Sequence, residues 1–540
     1  MASLPCLLPH NTKHATPIDS VVFAVFAPFG TDPVLSEYPD NKRKPIRRQL
    51  LVKYLLDVAR QGVHVSALID LIDDDSYLIE IPAGEPKQLA IHSAWKQRMN
   101  APQSLAGFLR RTNHRFPCSS IVLALEGHGA GFLPEIDASA GSPEETSQGP
   151  TDRVEWRIRP DSSEPVDATN GNPVLSFIPS PELPVESPEA RPLSLPLSTW
   201  ALSQALRSAI GDGVPKPAVI HFNNCFNMAV EVLHTVAPYA SYATGYTNYN
   251  FFTAGETYPK VFKRLRQAGS ASAEQLAKWF AAENGAMLGP QKNQPTIGAT
   301  IALRKMNGLR NAIAEMAKEL TAALKAPGGS GVRAKIKDAV TAAQQYDTGT
   351  GYQLEVPDQL TDLADFAFRL KSQFTSGTIH DRADDVMKAV GAVWQYGEFD
   401  RPYLDETKIW DFRNQRLGVS IFFPDPLIQG QWDWRSPYYM KNNLEVDKLP
   451  RQPRVIDFLA DSSGRSAWVK FLIEYHKVEA NPPRMVLLRA RPPVFPIFMR
   501  DYKPKYPHPT DDDSRGPGGP GQTSGPGDDP QRGGGGNRAL

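Results

Sequence analysis

A histidine and a cysteine each follow an apolar, β-branched run in this chain. The run that begins at Ile121 ends at Glu126 and is followed by His128 between two glycines, and the run that begins at Val219 is followed by Cys225. Continuous apolar runs are typical of parallel strands buried on both faces, and open α/β sheets carry their reactive groups at the carboxyl ends of the strands. If the two strands are neighbours, an imidazole and a thiol share one edge of the sheet. That is the arrangement of a cysteine-nucleophile hydrolase.

Each residue has a definite chemical role in such a hydrolase. A nearby histidine and the N-terminus of a following helix both favour the thiolate of Cys225, and the apolar pattern from Met228 predicts a helix there. His128 would protonate the leaving amine and then help to activate water. The backbone N–H groups of Gly129 and Cys225 could form an oxyanion hole. Taken alone, however, a buried cysteine is usually inert, and a single histidine is usually structural.

Strand and helix patterns alternate around these residues. Apolar runs indicate strands, and apolar residues at a spacing of three to four indicate helices. The alternation predicts an α/β fold with a mostly parallel sheet and right-handed crossovers. The predicted strands are 21–28, 63–71, 77–81, 119–126, 218–222 and 241–246, the predicted helices of this part are 46–61, 104–112 and 197–210, and later helices are predicted within 270–346, 360–374 and 383–394.

Composition and charge limit the class of protein. The 59 basic and 59 acidic residues cancel, so no overall field favours nucleic acid or an anionic membrane. Three cysteines are too few for a disulfide framework or a zinc cluster. The first residues lack a basic region followed by a long apolar one, and no run approaches the roughly 20 apolar residues that span a bilayer. We therefore expect a cytoplasmic protein.

Five segments, in the same order along the chain, resemble the clostripain family of caspase-fold cysteine peptidases. Segment 126–131, EGHGAG, resembles the family's D-G-H-G-x-G, and segment 222–232, FNNCFNMAVEV, resembles its F-D-A-C-L-M-x-x-x-E-V. Three later segments at 362–366, 417–424 and 466–472 are similar to its D-L-x-D-F helix, G-L-S-I-Y-F-P strand and closing W-x-x-F-L helix. In all, the resemblance spans roughly Val21 to Tyr475.

The resemblance implies a caspase-like sheet, a His128–Cys225 dyad without a required third member, and cleavage of protein or peptide substrates. It divides the chain into an extension at 1–19, a peptidase domain at 20–268, a helical region at 269–480 that completes the family unit, and a Pro/Gly-rich tail at 481–540 that is expected to be disordered. The Pro- and Ser-rich segment 133–196, which we call the insert, occupies the place where relatives often cleave their own chain. Self-processing there is therefore a hypothesis.

One departure from the family concerns specificity. Relatives that cut after Arg or Lys carry an aspartate two residues before the nucleophile, where this chain has Asn223, and a second pocket acid where it has Ala254. An amide or a methyl group cannot form the charge-assisted bond to a basic side chain. Glu256 could supply the charge instead. The sequence thus predicts a weakened preference for Arg or Lys, with a neutral polar residue as the alternative.

No cofactor and no metal-binding residue is predicted, and calcium is suggested by the resemblance alone. The leading hypothesis is a cysteine endopeptidase that stays latent until an activating partner or signal acts on it. The alternative is a catalytically silent caspase-like binding module. An esterase would need a G-x-S-x-G nucleophile elbow, which the sequence lacks.

Overall fold

The computed structural model of the chain describes most of residues 16–476. The described residues are 16–29, 46–70, 76–95, 99, 101–117, 119–127, 129, 131–133, 197–248, 250, 255–288, 297–346, 360–399, 418–423, 439, 455–462 and 464–476. The extension up to residue 15, the insert from 134 to 196, the tail from 481 to 540 and His128 lie outside the described residues.

A nine-stranded sheet forms the centre of the protein, in the order β12-β10-β8-β7-β6-β2-β3-β4-β5. The five inner strands, from β8 to β3, run parallel, and two antiparallel strands extend each edge. The predicted α/β class with a mostly parallel sheet is therefore confirmed. The strands of this sheet are β2 (Val21–Pro28), β3 (His64–Asp70), β4 (Ser76–Ile81), β5 (Ala90–Trp95), β6 (Ser120–Glu126), β7 (Val219–Asn223), β8 (Tyr242–Tyr246), β10 (Ile297–Ala302) and β12 (Trp394–Phe399).

Three two-stranded pairs lie outside the main sheet. They are β1 (Thr16–Pro17) with β9 (Ser270–Ala271), β11 (Leu360–Asp362) with β13 (Ser420–Phe422), and β14 (Ala460–Asp461) with β15 (Gly464–Arg465). The second pair touches the site described below, because Ser420 bridges to Ala229, four residues after Cys225.

Helices cover both faces of the sheet. Those of the described residues are α1 (Leu50–Arg60), α2 (Pro102–Arg115), α3 (Thr199–Gly211), α4 (Val230–Val236), α5 (Tyr258–Ala268), α6 (Ala273–Ala286), α7 (Met306–Lys325), α8 (Gly329–Ala342), α9 (Leu363–Gln373), α10 (Thr378–Val393) and α11 (Ala467–His476).

The sheet divides the apolar core into two layers because side chains alternate between its faces. In β2, Val22 and Phe26 enter one core with α2, α3, α4 and the later helices, whereas Phe23 and Val25 enter the other with α1, α5 and α6. A strand that is apolar on both faces must be covered on both, which explains why the sequence of β2 shows no alternation.

The predicted strands and helices around the two reactive residues are present, and their ends agree within four residues. The sequence did not reveal β5, β10 and β12, which form the edges of the sheet. Two of them, β10 and β12, come from the region 269–480, so this region contributes directly to the central sheet. The domain boundaries themselves stay a prediction. Among the described residues, no helix combines the length and the apolar character required to cross a membrane.

Candidate active site

The two strands that carry the reactive segments are neighbours, as the sequence requires. Strands β6 and β7 pair in parallel, and Glu126 lies opposite Asn223 at their carboxyl ends. Cys225 follows two residues after Asn223. The loop that follows β6 therefore begins at the edge of the sheet where the nucleophile lies. His128 is in this loop, but it falls outside the described residues.

The loop from Asn224 to Ala229 carries Cys225 between β7 and α4. Phe226 has a φ of 62°, a left-handed conformation that is unfavourable for a bulky residue. Its backbone N–H donates to the Asn248 carbonyl at 3.0 Å, and its ring is buried. Strain of this kind persists where the surrounding structure determines it, and it is frequent at functional sites.

The helix predicted to run directly from the nucleophile begins later than expected. Helix α4 starts at Val230 and has seven residues, so Cys225 is not in its first turn. The field of a helix N-terminus decays within about a turn. The expectation that this helix favours the thiolate was therefore wrong.

Gly129 contacts the nucleophile loop closely. A Cβ atom at Gly129 would lie 2.0 Å from the carbonyl oxygen of Cys225 and 2.8 Å from its nitrogen. Only glycine can occupy such a position without displacing the backbone. Gly127, with a φ of 105°, lies in the left-handed region that favours glycine.

The Cys225 thiol is fully buried, with 0% of the residue exposed. Burial raises the pKa of Cys225 to about 12, and backbone hydrogen bonds from Asn250 and Gly129 act in the opposite direction without compensating for it. The Asn250 N–H lies 3.3 Å from Sγ. In this arrangement the sulfur is a neutral thiol at physiological pH, and a nucleophilic cysteine must lose that proton.

A chain of side-chain hydrogen bonds extends from Cys225 into the sheet. Asn250, whose N–H contacts the sulfur, donates through Nδ2 to Asn223 Oδ1 at 3.1 Å. Asn223 in turn donates through Nδ2 to Glu126 Oε2 at 2.9 Å. The other carboxyl oxygen of Glu126 accepts from the hydroxyl of Tyr258. All four residues are buried.

Glu126 is the ionisable end of this chain. Burial raises its pKa to about 7, against the hydrogen bonds from Tyr258 and Asn223, which favour the carboxylate. His221, also hydrogen-bonded to Asn223, is neutral because burial lowers its pKa to about 3. Tyr258 is neutral as well, since burial raises its pKa well above the ordinary value.

The structure thus brings three of the predicted site residues together: Cys225, Gly129 and Asn223. Glu256 lies partly buried in the turn before α5, and the carboxylate bonded to Asn223 is that of Glu126. Sequence reasoning assigned no role to Glu126 or Asn250. For Glu126 a signal existed, because a carboxylate closes an otherwise apolar strand. For Asn250 there was none, since it is one of several polar residues in a loop.

A small cavity of about 80 Å³ lies beside the site, and Glu126 is one of the residues that line it. Apolar side chains such as Phe26 and Phe222 form most of its wall, and the site contributes Gly129 and Asn224. Leu133 and Thr199, which flank the insert, also line the cavity. Two hydrogen bonds join these residues. The Leu133 N–H donates to Thr199 Oγ1 at 3.0 Å, and the Thr199 N–H donates to the Leu133 carbonyl at 3.0 Å.

Within the part of the chain that the structure describes, no group of three or more His, Cys, Asp or Glu side chains could hold a metal ion. We therefore assign no residue to calcium.

A family model gives the decisive comparison. Residues 196–452 match the model of the clostripain family, Peptidase_C11. This region belongs to the clostripain family. The clostripain-family region includes Asn223 and Cys225 and begins after His128. The match indicates a cysteine peptidase, which acts on protein or peptide substrates.

Solved structures of C11 proteases are also similar. A secreted C11 cysteine protease from Bacteroides thetaiotaomicron, iotapain, is 9% identical, with a TM-score of 0.48 over 75% of this chain and 94% of that one. An inactive zymogen C11 protease from Parabacteroides distasonis is 12% identical, with a TM-score of 0.45 over 76% and 93%. A secreted C11 cysteine protease from B. thetaiotaomicron in complex with an irreversible peptide inhibitor is 13% identical, with a TM-score of 0.43 over 75% and 92%. Similarities this weak add nothing to the family assignment. No curated protein matches the chain.

Proposed function

We propose that this clostripain-family protein is an endopeptidase that attacks peptide bonds with the Cys225 thiolate and uses His128 as the acid and base. The observation that carries the proposal is the parallel pairing of β6 and β7, which brings Gly129, the neighbour of His128 in the chain, into contact with Cys225. In the reaction, the sulfur attacks the substrate carbonyl, His128 protonates the leaving amine, and water then releases the acyl group. The N–H groups of Gly129 and Cys225 are the proposed oxyanion donors.

We further propose that the described arrangement is latent. Cys225 is fully buried and its pKa is raised to about 12. Substrate access and a lower thiol pKa both require solvent to reach the sulfur, because burial is what raises the pKa of Cys225. An activating partner, calcium or self-processing would supply this change. The cytoplasmic location stays a prediction.

Self-processing within the insert is supported by the position of its two ends. Leu133 and Thr199 line the cavity that Gly129 and Asn224 also line, so the insert leaves and re-enters the fold next to the nucleophile loop. We expect wild-type protein under activating conditions to show a cleavage in the insert by intact mass, and Cys225→Ala to stay uncleaved. Equal, uncleaved masses in both proteins would reject self-processing.

Specificity for Arg or Lys should be weakened. Asn223 uses its Nδ2 on Glu126 and its Oδ1 on Asn250, and an amide carries no charge to bind a basic side chain. A protein that cleaves after Arg or Lys as strongly as it cleaves after neutral polar residues would contradict this.

The test of the proposed function is labelling of the purified protein with cysteine-directed acyloxymethylketone probes, before and after calcium or cell extract is added. Labelling that is present in wild type and lost in both Cys225→Ala and His128→Ala would support the dyad. A protein that no probe labels under any of these conditions would instead be the silent binding module.

A further inference from the structure

One buried acceptor beside the nucleophile has no hydrogen-bond partner among the residues that the structure describes. Asn250 is 3% exposed, and its Oδ1 accepts no hydrogen bond from the residues that the structure describes. Its Nδ2 is used on Asn223 and its backbone N–H on the sulfur of Cys225. A buried acceptor left unpaired costs free energy, so such atoms often mark a place where another molecule binds.

The direction of the Asn250 amide follows from Glu126. An ionised carboxylate only accepts hydrogen bonds, so Asn223 must present Nδ2 to Glu126. Asn223 then presents Oδ1 to Asn250, and Asn250 must present Nδ2 in return. The Glu126 carboxylate thus determines the orientation of both amides. The Asn250 atom that remains without a partner is the carbonyl oxygen, Oδ1.

We propose that the ionised carboxylate of Glu126 orients the Asn223 and Asn250 amides so that Asn250 Oδ1 selects a substrate side chain ending in a hydrogen-bond donor. Glu126 is a positioning residue in this scheme, since it acts through the two amides. Asn250 is the specificity-determining residue, and the residue it selects is the one next to the scissile bond, because that residue lies beside the nucleophile. The inference rests on the proposed function of Cys225.

A proton on Glu126 would reverse the scheme. The protonated carboxyl donates to Asn223 Oδ1, Asn223 Nδ2 donates to Asn250 Oδ1, and Asn250 Nδ2 becomes the group left over. Among the described groups, Tyr258 from α5 is hydrogen-bonded to Glu126, His221 from β7 is hydrogen-bonded to Asn223, and Tyr246 from β8 acts on Tyr258. Tyr258 and His221 are neutral between pH 5.5 and 8.5. The pKa of Glu126, about 7, falls inside this interval.

Three probes of nearly equal size test the proposal. They are acyloxymethylketones whose residue next to the reactive group is Gln, which ends in a donor and an acceptor, methionine sulfoxide, which has only an acceptor, or Met, which has neither. At pH 8.5 we expect the Gln probe to label Cys225 at least about tenfold faster than the other two, the factor of one ordinary hydrogen bond. At pH 5.5 the sulfoxide probe should gain relative to Met. We compare ratios of labelling rates at one pH, because the thiolate fraction of Cys225 is then the same for every probe and cancels.

Two variants separate the roles. Asn250→Ala keeps the backbone N–H on the sulfur but removes the acceptor, so the ratio of Gln to Met labelling should fall about tenfold. Glu126→Gln carries a permanent donor, so at pH 8.5 it should show the probe ratios that wild type shows at pH 5.5, without further change with pH. Asn248→Ala, which removes another buried amide from the same loop, is the matched control and should keep the wild-type ratio.

The possible failures are distinct. An unchanged Gln-to-Met ratio in Asn250→Ala, with Cys225 still labelled, would overturn this inference and leave the proposed function intact. The same conclusion follows if Asn248→Ala lowers the ratio as much as Asn250→Ala does. Wild-type protein that no probe labels, even after calcium or cell extract is added, would overturn the proposed function, and the inference would fall with it.

Discussion

At the scale of single residues, the site is defined by how tightly its backbone segments approach one another. The Cys225 sulfur receives N–H groups from Asn250 and Gly129, and both come from loops that the sheet edge brings together. These donors favour a thiolate, but burial dominates. Cys225 and its two N–H donors are therefore arranged for catalysis, but in this state the thiol stays protonated and inactive.

The thiol chemistry of Cys225 should report this state. Because burial raises the pKa of Cys225 to about 12, the thiolate fraction is small at pH 7 and grows as the pH rises. We expect the rate of alkylation by iodoacetamide, followed by mass spectrometry of the Cys225 peptide, to increase up to pH 10 without a plateau. The unfolded protein should level off near the ordinary thiol pKa of about 8.5. A plateau near neutrality in the untreated folded protein would show an already activated thiol.

Gly129 should tolerate no side chain. Gly129→Ala places a Cβ atom 2.0 Å from the Cys225 carbonyl oxygen, so the backbone must move, and overpacking of this kind costs about 1–3 kcal/mol. We expect a lower melting temperature and loss of probe labelling. Gly211→Ala is the matched control, since no atom lies within 4 Å of the added methyl group, and its stability should be unchanged or slightly higher. Equal behaviour of the two variants would contradict the close contact.

At the scale of elements, a buried carboxylate on the helix after the nucleophile forms hydrogen bonds with the later part of the chain. Glu231 on α4 accepts from the Phe422 N–H of β13 at 2.9 Å and from the Tyr439 hydroxyl at 2.7 Å. The Ser420 N–H also donates to the Met228 carbonyl at 3.1 Å. The nucleophile loop is thereby supported by segments almost two hundred positions away in the chain, and they lie within the clostripain-family region.

Removing the Glu231 carboxylate should cost more than removing an exposed one. Glu231→Ala leaves the Phe422 N–H and the Tyr439 hydroxyl buried without an acceptor, which we expect to lower the free energy of unfolding by about 3 kcal/mol. Glu315→Ala is the control, because its ion pair with Lys318 is exposed and such pairs contribute less than about 1 kcal/mol. Urea denaturation measures both. A Glu231→Ala loss as small as that of Glu315→Ala would contradict the role of this carboxylate.

Apolar periodicity was enough to predict the inner strands and the helices between them, because each of those strands is apolar on both faces and each helix shows one apolar face. It failed at the sheet edges. Strand β10, Ile297–Ala302, is a short run that contains Gly298, and β12 continues directly from α10, so nothing in the local pattern marks the change from helix to strand at β12. Edge strands gain their stability from the neighbour they pair with, and single-sequence patterns do not show that neighbour.

For the site, the residue types predicted the position of Cys225, Gly129 and Asn223 at one edge. They could not predict that Glu126 is the carboxylate beside Asn223. This pairing depends on the register of β6 against β7, which hydrophobic patterns leave undetermined where both faces are apolar. Nor could they predict the burial of Cys225, which depends on loops that close over it.

At the scale of the whole molecule, two buried carboxyls make stability depend on pH. Burial raises the pKa of Glu126 from 4.5 to about 7 and that of Asp362 from 3.8 to about 7. A raised carboxyl pKa favours the protonated folded state, so its stabilising contribution is complete below the unfolded pKa and is lost as the pH rises through 7. Between pH 5 and pH 8.5 these two carboxyls therefore lower the free energy of unfolding, whereas His221 and His234, whose pKa burial lowers to about 3 and about 4, raise it.

Single variants should separate the contributions of the two carboxyls to this pH dependence. Glu126→Gln and Asp362→Asn cannot ionise, so each should remove about 2 kcal/mol of the unfolding free energy that wild type loses through that carboxyl between pH 5 and pH 8.5. Only Glu126→Gln should also change the probe ratios described above, because Asp362 is bonded to Tyr346 and Gly418. Parallel pH profiles for wild type and both variants would show that other groups control the stability.

The paired ends of the insert also have a consequence for the entropy of the unfolded chain. Because Leu133 and Thr199 are joined by two hydrogen bonds, folding must close the loop between them, and the cost grows with the logarithm of its length. Replacing residues 135–196 with a glycine–serine linker about a tenth as long should then raise the free energy of unfolding by about 2 kcal/mol. A less stable shortened protein would mean that the insert contributes contacts of its own. A more stable one would be a single-chain enzyme that has no insert left to cut.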